Sequence, residues 1–153
     1  MEISRVIARE AIGLSMHPTS KDEWLEQLVD MVCRAWGIRN RSAILEAVTK
    51  REDTHSTAIG HGVAIPHAKC PVVPRLLIAL GIAPTGVEFG ALDGEPVRIA
   101  FLVLSPDSVT GPHVRALATI SRIAIRAGVP EQIIAAKTPR EVLRIIKREE
   151  ETL

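Results

Sequence analysis

The chain carries five histidines, His17, His55, His61, His67 and His113. Histidine is the side chain whose neutral ring can act as nucleophile or base near neutral pH. His67 stands apart because of the pentad Ala64-Ile65-Pro66-His67-Ala68. Pro66 fixes its own φ, supplies no N–H and pushes Ile65 toward an extended conformation. The backbone at His67 therefore has a set direction at the end of a strand. Upstream, Gly60-His61-Gly62 permits close backbone approach. From this pattern alone His67 is either a reactive imidazole or a strand-end residue that only hydrogen-bonds a neighbour.

His113 follows Gly111-Pro112. Proline suits the first helical position, which makes Gly111 the expected N-cap and puts His113 in the first turn. Free N–H groups and the helix dipole favour an anion there, although an exposed first-turn histidine without a role has the same pattern. Arg51 is expected at the end of a helix. Its guanidinium matches a phosphate with two parallel hydrogen bonds, and it equally suits ordinary dipole complementarity. Lys69 adds positive charge near His67 or is simply solvated. A metal site is the rival chemistry. His55, His61 and His67 recur at equal spacing, so an uninterrupted strand would present them on one face, with Cys70 just beyond. The intervening glycines and Pro66 interrupt that strand, and the spacing matches no usual zinc pattern. There is no Gly-x-Ser-x-Gly elbow for a hydrolase and no Walker or Rossmann glycine pattern. The residues call for no cofactor.

The elements that must position these residues follow from composition and period. A length of 153 residues predicts one domain, 1–153. Lys and Arg number 19 against 18 Asp and Glu, and aromatics make up 3%, so neither a nucleic-acid binder nor a base-stacking surface is expected. An apolar share of 46% excludes disorder for most of the chain. The two cysteines, Cys33 and Cys70, are too few for a disulfide framework. The longest apolar stretch, Leu76 to Pro84, is about half the length of a spanning helix. The start, Met1-Glu2-Ile3-Ser4-Arg5, has no signal-peptide pattern. A cytoplasmic protein without membrane insertion is expected.

Ile12 to Met16 reads as a short strand after a charged lead-in. Ser20 with Glu23 forms a capping box for a helix carrying Leu25, Leu28, Val29, Val32 and Trp36 and closed by Gly37. Asn40 caps a second helix, Arg41 to Glu52, with Ile44, Leu45 and Val48 inward. Ala58 to Pro66 has no helical period. Leu76 to Ala83 and Ile99 to Leu104 are continuous apolar runs that suit strands covered on both faces. A helix follows with Val114, Leu117, Ala118, Ser121, Ala124 and Ile125 on one face, ended by Gly128. A short helix spans Pro130 to Ala136. Thr138, Pro139 and Glu141 start a last helix buried through Val142, Leu143, Ile145 and Ile146. The tail from Lys147 to Leu153 is expected to fray. The order predicts an α/β fold in helix–sheet–helix layers.

The stretch Arg51-Glu52 followed by Ser56-Thr57-Ala58-Ile59-Gly60-His61-Gly62-Val63-Ala64-Ile65-Pro66-His67-Ala68-Lys69 resembles the active-site signature of the IIA proteins of the phosphoenolpyruvate-dependent sugar phosphotransferase system. It is similar to the fructose/mannitol branch, which includes the nitrogen-regulatory IIA proteins. Ser105-Pro106, Pro112-His113-Val114, Leu117 and Ile120-Ser121 resemble that branch's second block. The likeness covers nearly the whole chain. It departs from many nitrogen-branch members at His61, where they carry Asn, and at Ala68, where they carry Gly.

The resemblance implies a mixed β-sheet flanked by helices on both faces. It implies that His67 carries a phosphoryl group on Nε2 and that His113 and Arg51 flank and steady it. It also implies a histidine-containing phosphocarrier protein as donor, and a IIB domain or a regulatory target as acceptor. Transfer between two imidazoles needs in-line positioning and charge stabilisation more than covalent chemistry. A donor must dock face to face, so a shallow apolar surface is expected around His67, with Val63 and Ile65 as contributors.

Overall fold

A computed structural model describes residues 2–153. A 3₁₀ turn (Ile3–Arg5) leads into β1 (Ile7–Gly13), α1 (Lys21–Trp36) and α2 (Arg41–Thr54). Then come β2 (Ala58–Gly60), β3 (Val63–Ala64), β4 (His67–Lys69), β5 (Leu77–Val87) and β6 (Val97–Ser105). Three helices close the chain: α3 (Gly111–Ala124), α4 (Val129–Ala135) and α5 (Pro139–Glu150). The sheet has six strands in the order β1-β5-β6-β3-β2, with β4 also paired to β6. β5 and β6 are antiparallel; β1 runs parallel to β5, and β3 and β4 run parallel to β6.

The continuous apolar runs are explained by cover on both faces. Ala79 and Leu102 pack toward the side of α1 and α2 with Trp24, Leu28 and Ile44. Ile78, Leu80, Phe101 and Val103 pack on the other side with Ile120, Ile133, Val142 and Ile146 of α3, α4 and α5. The layered α/β expectation holds. Ser20 Oγ accepts from Glu23 N–H, Asn40 Oδ1 from Ala43 N–H and Thr138 Oγ1 from Glu141 N–H, so all three side-chain caps form as the sequence predicts. Gly37 takes φ 65°, the left-handed helix-ending conformation that glycine adopts without a Cβ clash.

β3 and β4 are two pieces of one strand. Val63 faces Ile99, Ala64 faces Ala100, His67 faces Val103 and Lys69 faces Ser105. Pro66 has no N–H to give, yet its carbonyl still accepts from Val103 N–H at 2.9 Å. Register therefore survives the break, and His67 resumes pairing at a fixed position. With a two-residue alternation His67 points to the same face as Val63 and Ile65, the face covered by α3.

Three expectations are corrected. The first strand is Ile7–Gly13 and not Ile12 to Met16. Arg9 and Glu10 are exposed on this edge strand, where pairing shifts between Ile7 and Ile12, so charges that read as a lead-in belong to the strand. In α3 the buried face is His113, Ala116, Ile120, Ile123 and Ala124, while Val114 is 56% exposed. Apolar residues cover well over half of this helix's circumference, leaving one side to Arg115, Thr119 and Arg122, so its period fits more than one face. Its end is Ala124, and Gly128 instead precedes α4. The tail does not fray at Lys147. α5 continues to Glu150, whose carboxylate accepts from the N–H groups of Ile3 and Ser4 at 2.6 and 3.0 Å.

Candidate functional site

His67 sits at the C-terminal end of the β3–β4 strand, half-buried, with Nδ1 2.8 Å from the carbonyl oxygen of Ile65. A carbonyl only accepts, so Nδ1 carries the proton in the neutral ring and Nε2 keeps its lone pair. Pro66 makes this bond local: it holds Ile65 extended, so the carbonyl two residues back meets the ring. Burial pushes the His67 pKa below its ordinary value; the Ile65 carbonyl opposes this, and Arg51 adds to the lowering.

His113 lies against His67, with ring centroids 5.6 Å apart and planes at 66°. It is the third residue of α3 and only 5% exposed. Its Nδ1 is 2.6 Å from Ser105 Oγ at the end of β6. Burial first, then the positive fields of His67 and Lys69, push its pKa down to about 4. The N-cap position of α3 is Thr110 and not the expected Gly111, which is the first helical residue, and the Thr110 hydroxyl accepts from Lys69 Nζ at 2.9 Å instead of capping α3. Lys69 is thus tethered beside the site.

Arg51, in the last turn of α2, donates from Nη1 to the carbonyl of His55 at 2.8 Å. The same side chain borders two adjoining hollows that also border His67. One, of about 580 Å³, is lined by Lys50, Thr54, Lys69 and His113 among others. The other, of about 250 Å³, includes Ile59, Leu117 and Ser121. Among the described residues, no carboxylate lines either hollow. Lys50, Arg51 and Lys69 with two imidazoles therefore make an anion-seeking surface around one free ring nitrogen.

The sequence reading missed Glu52 and Ser105. Glu52 is buried, with Thr57 donating its hydroxyl to Oε1 at 2.5 Å and its N–H to Oε2 at 2.8 Å, while Lys21 Nζ lies 2.8 Å from Oε2. The carbonyl of Thr57 then accepts from Ile65 N–H at 3.0 Å, and Ile65 holds His67. A carboxylate directly after Arg51, followed by a loop threonine, was the available signal. Replacing Glu52 with Ala strands the buried Thr57 N–H and uncouples Lys21. The expected loss is about 2–3 kcal/mol by chemical denaturation, with faster amide exchange at Thr57. A loss under about 0.5 kcal/mol, the scale of a neutral surface change, would show that the carboxylate does not hold this loop.

One further expectation fails, and the rival metal reading fails with it. Val63 and Ile65 are buried under α3 and expose no docking surface, although Ile65 borders the floor of the smaller hollow beside His67. Exposed apolar area comes instead from Ile59, which borders the smaller hollow, and from Val114, the residue after His113 in α3. The metal reading also fails: among the described residues no group of three or more His, Cys, Asp or Glu can hold an ion. Gly60, His61 and Gly62 all take positive φ and turn β2 back against β3, so His55, His61 and His67 share no strand face. His61 is exposed with its N–H on Asp93 Oδ2 at 3.1 Å, and Cys70 is buried.

Residues 5–149 match the family model described as phosphoenolpyruvate-dependent sugar phosphotransferase system, EIIA 2. The chain belongs to this EIIA family. This EIIA chain is 30% identical over 145 residues to the fructose-specific EIIA component of Haloferax volcanii, covering 95% of the chain and 94% of that protein. It is also 30% identical over 148 residues to the fructose-specific EIIABC component of Bacillus subtilis, of which it spans only 23%. The nitrogen regulatory protein IIA-Ntr of Neisseria meningitidis has the same fold, with TM-score 0.88, 28% identity and coverage of 94% of this chain and 98% of that one. The mannitol IIA of Escherichia coli, solved in complex with phosphorylated mannitol IIB, has TM-score 0.78 at 18% identity, covering 91% of this chain and 95% of that one. At that identity the likeness shows the fold alone. Among the described residues no helix of the EIIA chain is long and apolar enough to cross a membrane.

Proposed function

We propose that residues 1–153 form a single phosphocarrier domain that works in the cytoplasm and accepts a phosphoryl group on Nε2 of His67. The donor is a histidine-containing phosphocarrier protein. The acceptor is a IIB domain, or the phosphorylation state is itself displayed to a regulatory target. The observation that carries this reading is the bond from Nδ1–H of His67 to the Ile65 carbonyl, which leaves Nε2 unprotonated beside Arg51 and His113.

The step balances without an added reactant. The Nε2 lone pair forms a bond to phosphorus as the donor's N–P bond breaks, and that electron pair returns to the donor imidazole. The proton on Nδ1 stays where it is, held by Ile65. Arg51 offers a planar fork and Lys69 a point charge to the phosphoryl oxygens, both fixed before the donor arrives. Ile59, Val114 and Leu117 supply the apolar rim on which the donor docks.

Two outputs fit this chemistry. The fructose-specific relatives argue for transfer to a IIB domain, and the IIA-Ntr likeness argues for a regulatory output. Passing label from phosphorylated protein to candidate IIB domains separates them.

The direct test is labelling by phosphoenolpyruvate, enzyme I and the phosphocarrier as a function of pH. The acceptor is neutral His67, whose pKa burial lowers below 6.5. Acceptance should therefore be undiminished as pH falls through about 6.5 and should decline only in more acid solution. Absence of label would end the phosphocarrier reading. A half-maximal rate at or above pH 6.5, with a pH-insensitive donor system, would contradict the buried neutral acceptor.

A further inference from the structure

Ser105 ends β6, directly after the apolar run that fills the sheet centre, and it is 0% exposed. It alternates with Phe101 and Val103, so it points to the α3 face, where its Oγ lies 2.6 Å from His113 Nδ1. Among the hydrogen bonds of the described residues, that is the hydroxyl's one partner. Two arrangements of the protons are possible. If Nδ1–H donated to Oγ, the hydroxyl proton would be buried with no acceptor, which is the expensive case for a buried donor. If Oγ–H donates to Nδ1, one bond satisfies both groups.

We infer that Ser105 is a positioning residue: its hydroxyl donates to Nδ1 of His113 and holds that ring in the form protonated at Nε2, with its N–H on the side of the cleft shared with His67. This rests on the phosphocarrier reading above. It gives the two rings opposite and complementary settings. The Ile65 carbonyl fixes His67 with a lone pair outward, and Ser105 fixes His113 with a proton outward. The rings meet at 5.6 Å, so one phosphoryl group can bond to the first and accept a hydrogen bond from the second. His113, with a pKa of about 4, is neutral near pH 7, so its ability to donate depends on which nitrogen holds the proton and not on charge. In the opposite tautomer His113 would turn a lone pair toward the phosphoryl oxygens and repel them.

The test uses the whole chain labelled with nitrogen-15, unphosphorylated, at about pH 7, where the neutral ring forms are distinguished by their nitrogen shifts. Wild-type protein should show His113 protonated at Nε2. Ser105→Ala removes one atom from a strand position, so the fold should persist. In the variant His113 Nδ1 should take the nitrogen shift of an acceptor without a hydrogen bond and the ring should lose its fixed orientation, with the His67 ring unchanged. Its phosphoryl acceptance should slow roughly ten-fold, the scale of one charge-assisted hydrogen bond. A wild-type His113 protonated at Nδ1, or a variant in which either the His113 Nδ1 shift or the transfer rate is unmoved, overturns the assignment. The tautomer is read without any phosphoryl group. A wild-type protein that takes no label would thus defeat the phosphocarrier reading separately, leaving the Ser105–His113 bond to stand or fall on the spectra.

Discussion

His67→Ala should abolish labelling completely while the protein stays folded. The remaining histidines offer no substitute. His113 has Nδ1 engaged by Ser105, and its ring is almost wholly buried. His17, His55 and His61 are exposed outside the helices and strands and border neither cationic hollow. The structural cost is small because His67 is half-buried and its bond to Ile65 is replaceable by water at the cleft. Stability should stay within about 1 kcal/mol of wild type. Mass analysis after incubation with the donor system decides the matter. Full labelling of the variant at any residue would sink the assignment of His67.

His113→Ala should still accept a phosphoryl group, but roughly 10- to 100-fold more slowly, or should lose it correspondingly faster. That range is the rate equivalent of about 1.5–3 kcal/mol for a hydrogen bond to a charged group. The burial of His113 adds a stability cost, because Ala leaves the Ser105 hydroxyl without its acceptor inside the fold. About 1–3 kcal/mol is expected by denaturation. Titration separates a phosphoryl-contacting role from a packing role. In the unphosphorylated protein the His113 pKa is pushed down to about 4, chiefly by burial. A dianionic group on His67 favours the imidazolium and must raise it. Identical His113 titration curves in the two states, together with wild-type transfer by the variant, would make His113 a bystander.

The parts of the fold that were legible are those written in local chemistry. Ser20, Asn40 and Thr138 were readable as caps because a short oxygen before an apolar-periodic run has one good use. Leu76 to Ala83 and Ile99 to Leu104 were readable as two-sided strands because no polar residue interrupts them, whereas the extensions of these strands to Val87 and back to Val97, past the exposed Thr85 and Arg98, were not. The fixed strand position of His67 was legible because Pro66 constrains its surroundings, and the flanking residues resemble a family signature. What failed depended on tertiary contact. Arg9 and Glu10 lie in a strand because the sheet edge leaves them in water. The α3 face was misread because His113 and Ala116 are buried by their neighbours and not by their own hydropathy. Glu150 is held in α5 by N–H groups from the opposite end of the chain, which no local pattern announces. Ser105 and Glu52 were not legible because their partners, His113 and Thr57, lie on another element or across a loop.

The most direct measurement is the position of the phosphoryl group itself, read from the ring nitrogens of phosphorylated, nitrogen-15-labelled protein. The bond from Nδ1–H to the Ile65 carbonyl predicts a single modified residue, His67, with phosphorus on Nε2 and a proton retained on Nδ1. Phosphorus on Nδ1 of His67, or on any other side chain, would contradict the account at its centre.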